Sequence, residues 1–290
     1  MRLRLCWWYR IAPADKLLIS QEIIDAIMAC MQDIRKYGKK PFSTVVVHGG
    51  PGAAGEMAQV ARAISSSLGV LEPMQAALSI QGQVAELKDI IYEHANLPVI
   101  LLGFSWGAWL SYIFTGTYPE LVKKLILIGS GPFEEEFVKQ IKETRLERLE
   151  NKDREEVKTI IEMMRTQPIK NIGSLILRMS ELFAVTDAYN PDFTQSDAID
   201  FRADIHAGVW KEAAELRKCG KLLKTGSNIT CPVLAIHGDY DPHPAAGVHL
   251  PLSAAHSNFR FILLKKCGHK PWIEKEAKEE FFQILKEELD

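Results

Sequence analysis

The stretch Leu-Pro-Val-Ile-Leu-Leu-Gly-Phe-Ser-Trp-Gly, residues 97–107, places a serine between two glycines directly after a run of apolar residues. This order is typical of a nucleophile elbow, a tight turn between a strand and a helix that exposes a serine hydroxyl. The backbone of such a serine is strained, and side chains two positions before and after it would collide with the neighbouring strand or helix. Gly103 and Gly107 remove those side chains, so we predict that Ser105 is a nucleophile.

Residues 96–119 around this serine contain no charged side chain, and at about 20 residues the stretch is as long as a membrane span. Two prolines and three glycines interrupt it. A buried strand followed by a buried helix from about Ala108 explains the same residues without lipid. The free N–H groups at the start of that helix would point toward Ser105 and favour negative charge there.

The composition of the 290 residues, 47% hydrophobic and 25% charged, is typical of a protein that folds around a large core. The 35 basic and 37 acidic residues nearly balance, so the chain has no net positive charge that would attract nucleic acid or an anionic membrane over a long range. The five cysteines lack CxxC spacing, and residues 1–10 carry three arginines where a secretory signal needs an apolar core. We therefore expect a cytoplasmic protein with reduced thiols, whose partner is a small-molecule or short-peptide substrate. The oligomeric state is left open.

Strand-like and helical segments alternate along most of the chain. Short apolar or β-branched runs next to glycine or proline predict strands, and apolar residues at three-and-four spacing predict helices. The predicted strands are residues 44–47, 69–74, 99–102, 125–128, 233–237 and 259–264, and the predicted helices are 16–37, 55–67, 82–94, 108–118 and the charged C-terminus. This alternation predicts an α/β fold with a mostly parallel sheet covered by helices on both faces.

The alternation stops between residues 133 and 228, where helical periodicity continues without a convincing strand. We interpret residues 133–228 as an inserted helical cap, and residues 1–132 and 229–290 as the α/β core. Residues 134–158 alternate acids and bases, which is typical of a solvated helix face. The apolar residues 172–185 either line a pocket or pack the cap on the core, and the spacing favours packing.

An acid and a base follow two of the predicted strands. Asp241 lies just past the strand 233–237, and His269 lies just past the strand 259–264. In a parallel sheet both strand ends open on the same edge as Ser105. A serine hydroxyl needs a base to take its proton and an acid to orient that base, so we predict a Ser105–His269–Asp241 triad. For the oxyanion, the N–H groups of Trp106 and of Gly50 are the predicted donors.

Four motifs together resemble the α/β-hydrolase superfamily: His-Gly-Gly-Pro-Gly (48–52), Gly-Phe-Ser-Trp-Gly (103–107), Gly-Asp-Tyr-Asp (238–241) and Gly-His-Lys-Pro-Trp (268–272). The first two are similar to motifs of the prolyl aminopeptidase (proline iminopeptidase) family of serine peptidases. The resemblance implies the α/β-hydrolase fold and the same five site residues.

The chain also departs from that family. Residues before Val45 have a helical pattern where the fold usually opens with paired antiparallel strands, so we expect the first two strands to be missing or replaced by an N-terminal helix. Phe104 stands where these peptidases commonly have glycine. None of the cap acids that bind a free amine in those peptidases can be matched.

Other residues near the predicted site have alternative roles. Asp239 could replace Asp241 as the acid, although the superfamily's acid usually falls three residues after Gly238. His48 is interpreted as shaping its glycine turn. A histidine just before the turn, His237, is more often structural; His243 lies near it. His237, Asp239, Asp241 and His243 are metal-ligand types, but a strand end rich in polar residues explains them, and we expect no metal and no cofactor.

These residues predict a serine hydrolase that acts through an acyl-enzyme on a small ester or amide under a helical cap. Two alternatives stay open. One is an aminopeptidase of the proline iminopeptidase type, and the other is a catalytically weak ligand-binding protein on the same fold.

Overall fold

A seven-stranded sheet forms the centre of the described part of the chain in the computed structural model, which describes residues 34–166, 173–193 and 199–290. The strands are β1 (Ile34–Tyr37), β2 (Phe42–Val47), β4 (Gly69–Pro73), β5 (Val99–Phe104), β6 (Val122–Ile128), β8 (Val233–Gly238) and β9 (Phe259–Leu264). Their order in the sheet is β1-β4-β2-β5-β6-β8-β9. All neighbouring strands are parallel except β1, which pairs antiparallel to β4. Two short strands, β3 (Ala53–Ala54) and β7 (Asp200–Phe201), form a separate antiparallel pair.

Ten α-helices connect these strands in the described part of the chain. They are α1 (Ala58–Ile64), α2 (Ile80–His94), α3 (Trp106–Thr117), α4 (Val138–Arg148), α5 (Asn151–Thr166), α6 (Gly173–Thr186), α7 (Ala203–Lys218), α8 (Lys221–Lys224), α9 (Ala246–Ala255) and α10 (Lys278–Leu289). The alternation of strands and helices predicted the α/β fold, and this prediction is confirmed.

Each face of the sheet has its own apolar core. Val45 and Val47 belong to the cluster that includes residues of α2 and α3, whereas Val46 between them belongs to the cluster with α1 and α10. Successive side chains of a strand point to opposite faces, so a strand buried on both faces must be apolar throughout. This requirement explains why the central strands appeared in the sequence as continuous apolar runs.

The uncharged stretch of residues 96–119 consists of strand β5 and helix α3. All six residues of β5 and eleven of the twelve residues of α3 are buried within the protein. In the described residues, no helix has both the length and the apolar character that crossing a membrane requires. The interpretation of this stretch as strand plus helix is confirmed.

Helices α4 to α8 occupy most of the segment between β6 and β8. The described residues of this segment contain one short strand, β7, which the sequence did not predict. It pairs with β3, just after the glycine turn of residues 48–52. The helical character is confirmed, while the division of the chain into core and cap stays a prediction.

The prediction of a helix over residues 16–37 is wrong for its last four residues. Ile34 to Tyr37 form β1, which pairs with β4 from Ile34 opposite Pro73 to Tyr37 opposite Val70. The Tyr37 hydroxyl donates to the buried Glu72 carboxylate at 2.6 Å, a long-range contact that no local spacing reveals. An antiparallel strand is therefore present at this edge, and residues 16–33 lie outside the described part of the chain.

Candidate active site

Ser105 occupies the turn between β5 and α3. Its backbone has φ 52° and ψ −114°, an unfavourable region for a residue with a side chain, and its N–H donates to the Ile128 carbonyl at 2.9 Å. A Cβ at Gly103 would meet the Gly107 backbone, and a Cβ at Gly107 would meet the carbonyl groups of Val47 and His48. The predicted reason for both glycines is confirmed.

Replacing Gly103 with alanine is expected to lower the free energy of unfolding by about 3 kcal/mol or more, because the new methyl group meets backbone that cannot rotate away. Gly220→Ala is the matched control, since a Cβ there has open space and costs only about 1 kcal/mol for its left-handed backbone. Urea unfolding of both variants checks this, and equal losses would contradict it.

The three residues of the predicted triad lie together. The Ser105 hydroxyl is 3.0 Å from His269 Nε2, and His269 Nδ1 is 2.7 Å from Asp241 Oδ2. The Asp241 side chain is fully buried. The arrangement is a continuous hydrogen-bond chain from the hydroxyl to the carboxylate.

Asp239, the alternative acid, lies outside the hydrogen bonds that connect Ser105, His269 and Asp241. Its Oδ1 accepts a hydrogen bond from the Cys267 N–H at 3.3 Å, and its Oδ2 lies 3.8 Å from Lys265 Nζ. The geometry therefore favours Asp241 over Asp239 as the partner of His269.

A second histidine shares the Asp241 carboxylate. Both the ring Nδ1 and the backbone N–H of His243 contact Asp241 Oδ1, at 2.8 and 2.9 Å. The His243 ring also lies against the His269 ring, with centroids 4.5 Å apart. His237 contacts this group less directly: its Nε2 donates to the His243 carbonyl oxygen at 2.8 Å and lies 3.6 Å from Asp241 Oδ2.

Burial and charge set the ionisation of this cluster. Burial would raise the pKa of Asp241, but the attraction of His269, His243 and His237 outweighs it and holds that pKa well below its usual range. Burial lowers the pKa of His243 to about 4, although Asp241 opposes the shift. At neutral pH, Asp241 is therefore a carboxylate and His243 a neutral ring that donates from Nδ1.

The low pKa of His243 predicts a loss of stability in acid. An ordinary histidine has a pKa of 6.5, so the unfolded chain binds this proton more tightly than the folded chain, whose His243 has a pKa of about 4. Stability from this residue is complete above pH 6.5 and falls as the pH drops toward 4, by on the order of 3 kcal/mol. Asp241, His269 and Arg145 are the charged or titratable groups that act on His243.

We expect a His243→Gln variant to lose less stability between pH 7.5 and pH 4.5 than the wild type, as measured by urea unfolding at both values. The buried His48 and His206, whose pKa values are also lowered by burial, stay in both proteins and cancel in the comparison. Identical pH dependences in the two proteins would contradict the prediction.

The two predicted oxyanion donors border the same cavity as Ser105 and His269. Gly50 lies in the turn after β2, which the Ala53 N–H closes by donating to the Gly50 carbonyl at 2.8 Å. Trp106 is the first residue of α3, and its indole N–H donates to Gln83 at 3.1 Å. His48 is fully buried with its Nδ1 2.7 Å from the Gly49 carbonyl oxygen, in agreement with its interpretation as a residue that shapes the turn.

The cavity next to Ser105 has a volume of about 590 Å³, within the range of small-molecule sites. Most of its wall is apolar and comes from helices α3 to α7 and the segments next to them. These apolar lining residues include Trp106, Trp109, Val138, Ile141, Ile161, Ile176, Met179, Phe183, Phe193 and Trp210.

Both acids that line the cavity, among the residues the structure describes, are held in ion pairs. Glu56 Oε1 is 2.6 Å from Lys270 Nζ. Asp187 receives two hydrogen bonds from Nε and Nη2 of Arg145. Each of the two carboxylates therefore already has a cationic partner at the cavity wall.

Glu274 is a site residue that sequence reasoning missed. Its fully buried carboxylate accepts hydrogen bonds from the N–H groups of Gly268, Tyr189 and Asn190, at 2.8 to 2.9 Å. The His269 N–H in turn donates to the Asp187 carbonyl at 2.7 Å. These bonds connect residues 265–274, the loop that carries His269 (the histidine loop), to the end of α6. The only local signal in the sequence was an acid directly after Trp272 and Ile273.

Phe104, the departure in the elbow motif, supports the histidine as well. Its buried ring lies 4.8 Å from the His269 ring and 4.7 Å from the Trp272 ring, measured between centroids. A glycine at this position would leave that side of the imidazole without a packing partner.

A metal is not needed to explain the polar cluster. The ligand atoms of Asp241, His243 and His269 lie within 4.8 Å of one another, and the two rings already hydrogen-bond to the two carboxylate oxygens. Asp239, one of the four metal-ligand types in the sequence, contacts Cys267 and Lys265 instead.

Comparisons with known proteins agree with this geometry. A family model described as alpha/beta hydrolase fold matches residues 83–276, about two thirds of the chain. Solved structures with similar folds include VinJ, with a TM-score of 0.65 and 17% identity, where the match covers 88% of this chain and 93% of VinJ. A putative lipase from Acinetobacter baumannii AYE has a TM-score of 0.59 and 16% identity, with 94% of this chain and 98% of the lipase covered. The proline iminopeptidase of Mycobacterium smegmatis also has a TM-score of 0.59 and 16% identity, with 88% of this chain and 93% of the peptidase covered. A search of curated protein sequences finds no match.

Proposed function

Because the chain belongs to the alpha/beta hydrolase fold family, we propose that it is a serine hydrolase that acts through an acyl-enzyme on a small ester or amide. The observation that carries this proposal is the continuous hydrogen-bond chain from Ser105 through His269 to Asp241. It begins at a strained turn on the wall of a largely apolar cavity.

In the proposed reaction, Ser105 Oγ attacks the substrate carbonyl while His269 Nε2 takes the hydroxyl proton. The N–H groups of Gly50 and Trp106 stabilise the oxyanion of the tetrahedral intermediate. His269 then gives its proton to the leaving alcohol or amine, which leaves an acyl group on Ser105. A water molecule, activated by the same histidine, hydrolyses the acyl-enzyme.

Asp241 stabilises the imidazolium that forms on His269 in each step. His243 contributes by fixing the other carboxylate oxygen with a ring and a backbone hydrogen bond. Since His243 is neutral at neutral pH, it orients Asp241 without competing for its charge.

The cavity supports an ester more than an N-terminal peptide bond. An aminopeptidase needs an acid for the free amine, and both described lining acids, Glu56 and Asp187, are neutralised by Lys270 and Arg145. The likeness to a proline iminopeptidase, at 16% identity, concerns the fold alone.

A cytoplasmic location and a small-molecule partner are part of the same proposal. The three described cysteines, Cys219, Cys231 and Cys267, are free thiols, which fits a reducing compartment. Burial raises the pKa of Cys267, which keeps this thiol near the site unreactive.

Labelling of the native protein with a fluorophosphonate tests the proposal. We expect covalent modification that mass spectrometry maps to Ser105, together with turnover of p-nitrophenyl acetate and little turnover of proline p-nitroanilide. Unfolded protein serves as the control, since an isolated serine hydroxyl does not react. Absence of labelling and of turnover would reject a serine hydrolase. Strong thermal stabilisation by a small molecule without any hydrolysis would then favour a ligand-binding protein.

A further inference from the structure

One face of helix α6 lines the cavity from Ile176 to Ala184. Ile176, Met179, Ser180, Phe183 and Ala184 all border the cavity, and their spacing of three, one, three and one places them on the same side of a helix. The wall continues to Asp187, the next residue in this series.

This face begins next to the candidate base. The Asp187 carbonyl accepts the backbone N–H of His269, so the residue directly after the helix is held next to His269. Eleven residues separate Asp187 from Ile176, which corresponds to roughly 16 Å along the helix axis. The cavity therefore reaches well beyond the space that an acetyl or methyl group requires.

Polar groups along this wall are already satisfied. The Ser180 hydroxyl donates to the Ile176 carbonyl at 2.9 Å, and the Asp187 carboxylate is paired with Arg145. Met179 and Phe183 also pack against the apolar cluster between α5 and α6. A ligand on this face meets methyl, thioether and aromatic groups, which a hydrocarbon chain matches and a peptide does not.

The small side chains of Ser180 and Ala184, four residues apart, form one row along this face, and the larger Met179 and Phe183 form the row beside it. Because Ser180 and Ala184 are small, their row is lower than the row of Met179 and Phe183, which makes a shallow depression along the wall, and Met179 and Ile176 lie farther along the helix from Asp187 than Phe183 does. We propose that an unbranched apolar chain of an ester substrate lies along this face, and that Met179 limits the chain length. The inference rests on the proposed function and adds the substrate class: esters with a medium or long hydrocarbon chain.

Two ester series test this inference. In one series the acyl chain of p-nitrophenyl esters grows from acetate to laurate, and in the other the alcohol of alkyl acetates grows over the same range. Burial of each methylene is expected to raise kcat/KM by up to about fourfold until the depression is filled. A rise in either series supports the inference and shows which part of the ester occupies the face.

The matched variants are Met179→Trp and Leu177→Trp. Met179 lines the cavity, whereas Leu177 on the same helix is exposed and lies outside it. Met179→Trp is expected to move the maximum of kcat/KM to shorter chains by several methylenes, mainly through KM, and Leu177→Trp is expected to keep the wild-type profile.

The inference is overturned if Ser105 is labelled and acetate is hydrolysed while longer chains react more slowly in both series. It is also overturned if Met179→Trp has the same profile as Leu177→Trp. Failure of labelling and of all ester turnover would instead reject the proposed function, and this inference with it.

Discussion

Ser105→Ala is expected to lower kcat for p-nitrophenyl acetate about 10⁶-fold, because the attacking oxygen is removed and the remaining groups act as a unit around it. His269 and Asp241 keep their 2.7 Å hydrogen bond in the variant, but no hydroxyl remains for the base to activate. Residual hydrolysis comes from the oxyanion donors and from substrate binding alone. Initial rates and fluorophosphonate labelling measure the loss.

Ser111→Ala is the control for this variant. Ser111 lies in helix α3, which begins directly after Ser105; it is fully buried, and its hydroxyl has no hydrogen-bond partner among the described residues. The change removes a serine hydroxyl six residues away that does not border the cavity, so we expect near wild-type rates. Loss of activity in both variants, or retention in both, would contradict the assignment of Ser105.

Asp241→Asn is expected to lower kcat about 10⁴-fold at pH 8, because an amide cannot stabilise the imidazolium and favours the wrong tautomer of His269. Here the replaced oxygen faces His269 Nδ1 at 2.7 Å. The other oxygen accepts from both His243 donors, so the amide also leaves at least one donor poorly paired.

Asp239→Asn is the matched comparison, because the two aspartates lie two residues apart and differ in what they contact. Asp239 faces Cys267 and Lys265, so its variant should keep rates within a few-fold of wild type. The reverse order of effects would identify Asp239 as the acid. Circular dichroism of both variants separates lost chemistry from lost folding.

The sheet, and the placement of Ser105, Asp241 and His269 at one edge of it, could be predicted from sequence because their signals are local. Parallel strands buried on both faces must be apolar runs, and the residues after them must meet at one edge of the sheet. Ser105, Asp241 and His269 each follow such a run. Their meeting follows from the direction of the strands, without knowledge of any side-chain contact.

Contacts between distant segments could not be predicted in the same way. Ile34 fits a helical spacing, yet its segment is a strand because residues 70–73 provide an open edge. Glu274 is an ordinary acid in the sequence, and its role depends on backbone donors 84 and 85 residues away. The periodicity of α6 indicated an apolar face and favoured packing over a pocket, whereas the structure has both: Leu182 packs and Met179 lines the cavity.

The bonds between the histidine loop and the end of α6 restrict how a substrate reaches the serine. Lifting this end of the helix would break the His269–Asp187 hydrogen bond and pull on the two that Glu274 accepts from Tyr189 and Asn190. Such an opening would move His269, the candidate base, away from Ser105. We therefore expect the C-terminal end of α6 to stay fixed when a ligand enters or leaves, so that any movement that opens the cavity occurs at another wall and keeps the imidazole aligned with the serine.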